Sequence, residues 1–239
     1  YETYEIERIS RVAFELALQQ RADAIEPDVK LTADGHVVII HDQTLLRTTG
    51  QAGNVRDWTL AAIQKLDAGS HFDRAFAGER IPTLAELFEK TGDRALYNIE
   101  LTNYASLTDS LPEKVAELVQ RYHLAESVLF SSFNPLALIR VRRKLPEAPI
   151  GLLARPRQKG NWARSWLGTL LSYQALHIHR EDVNTTIVTA TQGRGKRLHV
   201  YTVNDENEIA ALFKMGVDGI FTDDPPLARR ILTSILEGL

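Results

Sequence analysis

The sequence predicts an α/β protein of the TIM (β/α)8 barrel class, with a small β-hairpin and loop insertion after the second strand. Strand-like and helix-like segments alternate along the chain, a pattern that favours a parallel sheet closed as a barrel. The length of 239 residues suits one such barrel, which typically needs about 250. No linker is long enough to separate two domains, so we expect a single domain over residues 1–239, with the insertion at about residues 36–80.

The barrel strands are expected where short apolar runs precede helix-like segments. Residues 4–9 alternate like a strand and are placed first. The strands that follow are expected at residues 22–29, 96–101, 127–132, 150–154, 175–179, 198–203 and 219–222. The main helices are expected at residues 11–20, 82–90, 111–122, 135–144, 183–192, 207–215 and 226–236.

A β-hairpin is the expected start of the insertion. Asp34-Gly35 lies between two apolar runs and predicts a two-residue type I′ turn, in which both central residues have positive φ. The return strand is expected at residues 37–40, outside the barrel wall. An irregular stretch with a short helix near residues 60–66 is expected to follow it.

The composition excludes several classes of protein. There are no cysteines, so disulfides, thiolate metal ligands and cysteine nucleophiles are excluded. The net charge of −3 and the pI of about 6.2 argue against a nucleic-acid partner. No apolar run approaches the ~20 residues of a membrane span. We expect a cytoplasmic protein, and secretion stays open because the chain begins at Tyr1 and its native N-terminus is not seen.

Acidic residues and a histidine lie at the ends of strand-like runs. Glu26 and Asp28 are two positions apart, so their side chains share one face of a strand, and the hairpin folds His41 back toward them. Glu100 lies near the end of another apolar strand. Because the active site of such a barrel forms at the C-terminal ends of its strands, these residues predict a metal site with an adjacent base.

Further polar residues occupy the same predicted strand ends, namely Ser131, Ser132, His177, His179, Asn204 and Asp223. His177 and His179 share one strand face, so one is expected to point into the barrel, with a structural role preferred for both. For Asp223 the preferred interpretation is a helix cap before Pro226.

A basic, aromatic stretch follows the strand at residues 150–154 and therefore belongs at the barrel mouth. It contains Arg155, Arg157, Lys159, Trp162, Arg164, Trp166, Leu167, Leu170 and Leu171. The more common explanation of such a stretch is a surface helix whose apolar side covers the barrel. The sharper hypothesis is that residues 155–171 admit a lysophospholipid or make transient contact with a membrane surface.

A set of short motifs extends over most of the chain in a defined order. They are ADAIEPDV at 22–29, TADG at 32–35, His41-Asp42, LRTT at 46–49, IPTL at 81–84, NIEL at 98–101, Ser132-Phe133, YTVN at 201–204 and GVDGIFTD at 216–223. As a set these motifs resemble those of the glycerophosphodiester phosphodiesterases. The resemblance runs from about residue 13 to the end of the chain.

The resemblance implies a TIM barrel, one divalent cation and hydrolysis of glycerophosphodiesters to glycerol 3-phosphate and an alcohol. Glu26, Asp28 and Glu100 match the metal ligands of the family, and such oxygen ligands suit Mg²⁺ or Ca²⁺. His41 matches one of two histidines that act as general acid and base. The substrate, and expected partner, is a small glycerophosphodiester or a lysophospholipid. The expected substrate contacts are Ser132, Tyr201, Asn204 and Trp162.

The chain departs from the pattern of the family in three places. The His-Arg-Gly and Pro-Glu-Asn-Thr segments that supply the partner histidine and a phosphate-binding arginine are absent, so we expect residues to be missing between Ser10 and Arg11. Thr102 replaces a lysine two residues after the third acid, which removes one cation at the phosphate. Tyr201 replaces a tryptophan and keeps an aromatic wall.

Two other functions compete with hydrolysis of glycerophosphodiesters. If the His-Arg-Gly loop is deleted, the barrel would be a non-catalytic pseudoenzyme that binds phosphodiesters. A phospholipase D of the spider-toxin type shares the barrel and the metal triad. Those toxins carry disulfides, however, and this chain has no cysteine.

Overall fold

The computed structural model describes residues 16–104 and 106–238. Its strands are β1 (Ala24–Ile25), β2 (Asp28–Leu31), β3 (Val37–Ile39), β4 (Leu96–Leu101), β5 (Val128–Ser132), β6 (Ile150–Ala154), β7 (Ala175–His179), β8 (Arg197–Tyr201) and β9 (Gly219–Ile220). They form one sheet in the order β3-β2-β4-β5-β6-β7-β8-β9, with β1 also paired to β4. Apart from the antiparallel pair of β2 and β3, the pairings are parallel. The fold is the predicted α/β barrel of the TIM class.

Helices follow the strands in the predicted alternation. They are α1 (Leu46–Thr49), α2 (Leu60–Ile63), α3 (Leu84–Thr91), α4 (Leu111–Arg121), α5 (Pro135–Lys144), α6 (Asn161–Arg164), α7 (Trp166–Thr169), α8 (Thr185–Gln192), α9 (Glu206–Met215) and α10 (Pro225–Glu237). The prediction of the main helices from α3 onward is confirmed to within about two residues at each end, apart from the short α6 and α7, which were not predicted separately. The expected first strand at residues 4–9, the first half of the expected helix at 11–20 and the expected interruption between Ser10 and Arg11 lie outside the described residues. Within the second half of that helix, residues 16–19 are helical.

Pro27 divides the strand that was predicted as one run over residues 22–29. Proline has no N–H to donate to a sheet ladder, so the strand is recorded as β1 and β2 on either side of it. The register is nevertheless continuous, because Ile25 pairs with Tyr97 and Asp28 pairs with Glu100. The carbonyl of Pro27 also accepts a hydrogen bond from the N–H of Glu100 at 3.0 Å. Glu26 and Asp28 therefore both stay beside β4.

The hairpin between β2 and β3 forms, but the predicted type I′ turn is wrong. Gly35 has a positive φ of 77°, whereas Asp34 does not lie in that region. The N–H of Gly35 donates to the carbonyl of Thr32, and the N–H of Thr32 donates to the carbonyl of His36, both at 3.0 Å. This is the three-residue hairpin in which a glycine follows a type I turn. The hydroxyl of Thr32 donates to the carboxylate of Asp34 at 2.7 Å within this turn.

Two apolar cores hold the molecule together. The larger lies between the barrel wall and its helices, and its fully buried members include Ile99, Phe130, Ile150, Ile178 and Val200. The smaller lies under the insertion and contains Val38, Ile40, Leu45, Val55, Ile63, Ala68 and Ile81. In the described part of the chain, no helix is long and apolar enough to cross a membrane.

Candidate active site

Three carboxylates converge at the carboxyl ends of neighbouring strands. Glu26 and Asp28 flank Pro27, and Asp28 lies directly opposite Glu100 on β4. One oxygen from each of the three side chains lies within 4.8 Å of the others. Three acids so close to one another repel unless a proton or a cation lies between them.

The electrostatics of Glu100 show this repulsion. Burial raises the pKa of the Glu100 carboxyl well above its usual range, and the negative charges of Asp28 and Glu26 raise it further. The hydroxyl of Tyr104 opposes the shift by donating to Oε1 of Glu100 at 2.7 Å. Oxygen-only donors at partly buried positions are the ligand set that Mg²⁺ and Ca²⁺ prefer, so the residues present fit a divalent cation.

Tyr104 fixes the orientation of Glu100 and was not predicted from the sequence. Its hydroxyl donates to Glu100 and accepts the backbone N–H of Phe133 at 3.2 Å. Its ring meets that of Phe133 edge to face, and the ring of Phe133 meets that of Tyr201 in the same way, with centroids 5.8 and 6.1 Å apart. These contacts extend the predicted aromatic wall from Tyr201 across β5 to the acidic cluster.

The backbone at His41 adjoins the acidic strand, and Asp42 and Arg47 orient its imidazole. The N–H of Ile40 donates to the carbonyl of Asp28 at 3.0 Å, so the imidazole follows a residue that is bonded to the acidic strand. Nδ1 of His41 lies 2.9 Å from Oδ1 of Asp42, and Nε of Arg47 donates to the other oxygen at 2.6 Å. The His41 side chain is 53% exposed, which leaves it accessible to a ligand in the mouth.

The charge of Asp42 selects the tautomer of His41. Burial would raise the pKa of Asp42, but the hydrogen bonds from Arg47 and His41 outweigh it and hold the pKa below its usual value. The ionised carboxylate accepts the proton of Nδ1. In that tautomer the basic lone pair of His41 lies on Nε2.

Three of the predicted substrate contacts, Tyr201, Asn204 and Trp162, differ in burial and in hydrogen bonding. Tyr201 is partly buried, and its hydroxyl donates to the carbonyl of Ala154 at 2.7 Å. Burial raises the pKa of Tyr201 well above its usual value, with the charge of Glu100 as the next cause. Asn204 is exposed and holds the loop before α10 by accepting the N–H of Asp223 at 2.9 Å and donating to its carboxylate. Trp162 is exposed on α6.

Ser132 lies buried at the end of β5, and the predicted substrate contact stays a prediction. It is fully buried, its hydroxyl donates to the carbonyl of Leu101 at 2.6 Å, and it accepts the N–H of Asn134 at 3.0 Å. The sheet register pairs Ser131, rather than Ser132, with Glu100. The Ser132 side chain also hydrogen-bonds the hydroxyl of Tyr104, which holds Glu100, so both serines lie next to the acidic cluster.

His177 has the environment expected of a structural residue. It is fully buried, stacks on His199 at 5.0 Å between centroids, and has Nε2 3.2 Å from Nδ1 of that residue. Burial lowers the pKa of His177 well below its usual value, which keeps the ring neutral. A Cβ on Gly151 would come within 2.7 Å of the His177 ring, so glycine provides the space that the ring occupies.

The basic, aromatic stretch carries fewer accessible cations than its sequence indicates. Arg164 is only 11% exposed, pairs with Asp182 at 2.8 Å and donates to the carbonyl of Arg155 at 2.9 Å. Arg157 pairs with Glu181 at 3.3 Å. The guanidinium of Arg155 lies 5.3 Å from the centroid of Phe133, over the aromatic wall. These contacts fold the stretch onto the loop after β7, but Trp162, Trp166, Leu167 and Leu170 are exposed, so its apolar side does not cover the barrel as the common explanation expects.

These features define an α/β-barrel enzyme whose acidic site suits a divalent cation. The model of the glycerophosphoryl diester phosphodiesterase family matches residues 10–227. The chain belongs to that family and is a phosphodiesterase, which confirms the resemblance carried by the motifs.

Individual relatives agree with this assignment. The chain is 41% identical over 214 residues to a glycerophosphodiester phosphodiesterase of Caldanaerobacter subterraneus, with 89% of this chain and 87% of the relative covered. It is 32% identical to a glycerophosphodiester phosphodiesterase of Bacillus subtilis, covering 92% and 80%. Among solved structures it resembles an Oleispira antarctica phosphodiesterase in complex with the product sn-glycerol-3-phosphate, with a TM-score of 0.85, 29% identity, and 94% and 90% of the two chains covered.

Proposed function

We propose that this chain hydrolyses glycerophosphodiesters to glycerol 3-phosphate and an alcohol, and that hydrolysis depends on one divalent cation held by Glu26, Asp28 and Glu100. The observation that carries the proposal is the convergence of these three carboxylates within 4.8 Å. A similar structure, that of the Oleispira antarctica phosphodiesterase, was solved with the same product.

The acidic cluster supplies the ligands, and its neighbours keep them in place. When bound, the cation would neutralise phosphoryl oxygens and hold the diester in line for attack. Tyr104 keeps the Glu100 carboxylate turned toward the other two acids through its hydrogen bond of 2.7 Å. Supporting hydrogen bonds of this kind typically raise metal affinity about 10- to 100-fold.

His41 is the proposed proton carrier. In hydrolysis the oxygen of water attacks phosphorus, the bond from phosphorus to the alcohol oxygen breaks, the water loses a proton and the departing oxygen gains one. An imidazole can accept a proton on one ring nitrogen and donate one from the other, so it can carry either proton. Asp42, at 2.9 Å from Nδ1, stabilises the positive charge that the imidazole acquires when it takes a proton.

The assay that tests the proposal is the release of glycerol 3-phosphate from glycerophosphocholine by the purified chain. Turnover supports the proposed function. Binding of glycerophosphocholine without turnover would instead identify the chain as the pseudoenzyme. If glycerophosphocholine is neither bound nor hydrolysed, glycerophosphodiesters are excluded as its substrates.

We further propose that the site accepts lysophospholipids. Five exposed large apolar residues of the described chain lie in the three consecutive connections that leave the mouth after β4, β5 and β6. They are Leu107, Leu136, Trp162, Trp166 and Leu167. Trp166 is 67% exposed. An apolar rim on one side of the mouth suits an acyl chain attached to the glycerol, or the surface of the membrane that holds it.

Replacing Trp162 and Trp166 together by alanine tests this apolar rim. We expect kcat/KM for lysophosphatidylcholine to fall about 10-fold, because two large apolar contacts are lost, while kcat/KM for glycerophosphocholine stays within about twofold. Leu236→Ala, which removes an exposed leucine near the end of α10, is the matched control and should affect neither substrate. Equal losses on both substrates would show that the tryptophans only support the fold.

A further inference from the structure

Lys30 is a buried cation placed directly above the acidic cluster. It lies two residues after Asp28 on β2, and Thr102 lies two residues after Glu100 on the neighbouring strand. Since Asp28 and Glu100 are paired in the sheet, Lys30 and Thr102 form the next layer toward the mouth on the same face, roughly 6.6 Å along the strands. Lys30 is only 4% exposed, and its Nζ donates to Oγ1 of Thr102 at 2.5 Å.

The hydrogen bonds between Lys30 and Thr102 leave the ammonium group with N–H donors that can bind another acceptor. Oγ1 of Thr102 donates its own proton to the carbonyl of Val29 at 2.8 Å, so it acts toward Lys30 as an acceptor. An ammonium has three N–H donors, and the described residues provide Nζ of Lys30 with this one acceptor. A buried charge with further donors is costly unless another acceptor reaches it. Burial lowers the pKa of Lys30, and the nearby charges of Asp28 and Glu100 oppose that shift and favour the ammonium form.

The charge balance of the site indicates which acceptor this is. Three carboxylates and one divalent cation leave a net charge of about −1, which repels an anionic phosphodiester at short range. A lysine in the adjacent layer cancels that charge. Lysine binds phosphate as a point charge and stabilises phosphoryl groups during transfer.

We propose that Nζ of Lys30 binds a non-bridging phosphoryl oxygen of the substrate and of the glycerol 3-phosphate product, with Thr102 holding the ammonium in place. This assignment rests on the proposed function. On this assignment Lys30, which lies on the neighbouring strand and contacts Thr102, supplies the cation that the lysine expected at position 102 would have supplied.

Two binding measurements on Lys30→Gln separate this role from a structural one. The affinity for glycerol 3-phosphate at saturating cation should fall roughly 10- to 100-fold, because a charge-assisted hydrogen bond is lost. The affinity for Ca²⁺ or Mg²⁺ alone should stay the same or increase, because a positive charge leaves the carboxylates. A lysine that merely supports the fold would weaken both when removed. If Lys30→Gln does not fold, Lys30→Met, which suits a buried site, serves in its place.

A relocation variant gives the sharpest test. Lys30→Gln combined with Thr102→Lys moves the cation to the other strand of the same layer. We expect the product affinity and kcat/KM of this double variant to be at least tenfold higher than those of Lys30→Gln alone. Lys214→Gln, on the exposed surface of α9, is the control and should match the unaltered protein. Unchanged product affinity in Lys30→Gln overturns the assignment even if the protein hydrolyses glycerophosphocholine. Absence of turnover in the unaltered protein would instead contradict the proposed function, and the binding comparison would still decide the role of Lys30.

Discussion

Glu100→Gln is expected to abolish tight binding of the divalent cation and to lower kcat/KM on glycerophosphocholine by about 10³-fold. The substitution replaces one of the three clustered carboxylates with a neutral amide of the same shape. Metal-based stabilisation of a phosphoryl transition state is worth several kcal/mol, and each 1.36 kcal/mol corresponds to about tenfold in rate. Cation affinity is measured by calorimetric titration, and the rate is measured by release of glycerol 3-phosphate.

Stability separates this result from misfolding. Because burial and the neighbouring acids raise the pKa of Glu100, its charged form is unfavourable in the metal-free fold, and that fold loses stability as the pH rises through the raised pKa. Glu100→Gln removes that cost, so the Tm of the metal-free variant should not fall. Glu147→Gln, on the exposed turn before β6, is the control. Unchanged cation affinity in Glu100→Gln would contradict the metal site.

His41→Ala is expected to lower kcat on glycerophosphocholine by roughly 10²–10⁴-fold, because positioned acid or base catalysis contributes about that much. The imidazole is 53% exposed and contacts Asp42 rather than the apolar core, so its removal should leave the Tm nearly unchanged. The effect is expected in kcat more than in cation affinity, because His41 is not one of the clustered acids.

The matched control for His41 is His71→Ala, which removes an exposed histidine from the insertion. It should retain full activity. A near-normal rate for His41→Ala would assign His41 a structural role and leave the proton transfers to groups outside the described residues.

The positions of the acids could be predicted because they depend on strand periodicity and chain order. Glu26 and Asp28 lie two apart in an apolar run, and Glu100 lies at the end of another, so a parallel sheet brings them together. The same alternation extends to Lys30, and a lysine inside an apolar run is itself a signal, since a buried lysine requires a partner.

Other features depend on contacts that the sequence does not encode locally. Tyr104 reaches Glu100 and Phe133 only because the loop after β4 folds back over β5. The pairing of Arg164 with Asp182 joins residues that are 18 positions apart and removes an expected cation from the mouth. The placement of Ser131 opposite Glu100 required the sheet register, because a shift of one residue moves a side chain to the opposite face.

The measurement that tests the central claim most directly is turnover of glycerophosphocholine before and after removal of divalent cations with EDTA. The proposed function predicts that glycerol 3-phosphate is released by the untreated protein, that release stops in EDTA, and that it returns when excess Mg²⁺ or Ca²⁺ is added. Full turnover in the EDTA-treated protein, after verified removal of the cation, would contradict a metal-dependent phosphodiesterase built on Glu26, Asp28 and Glu100.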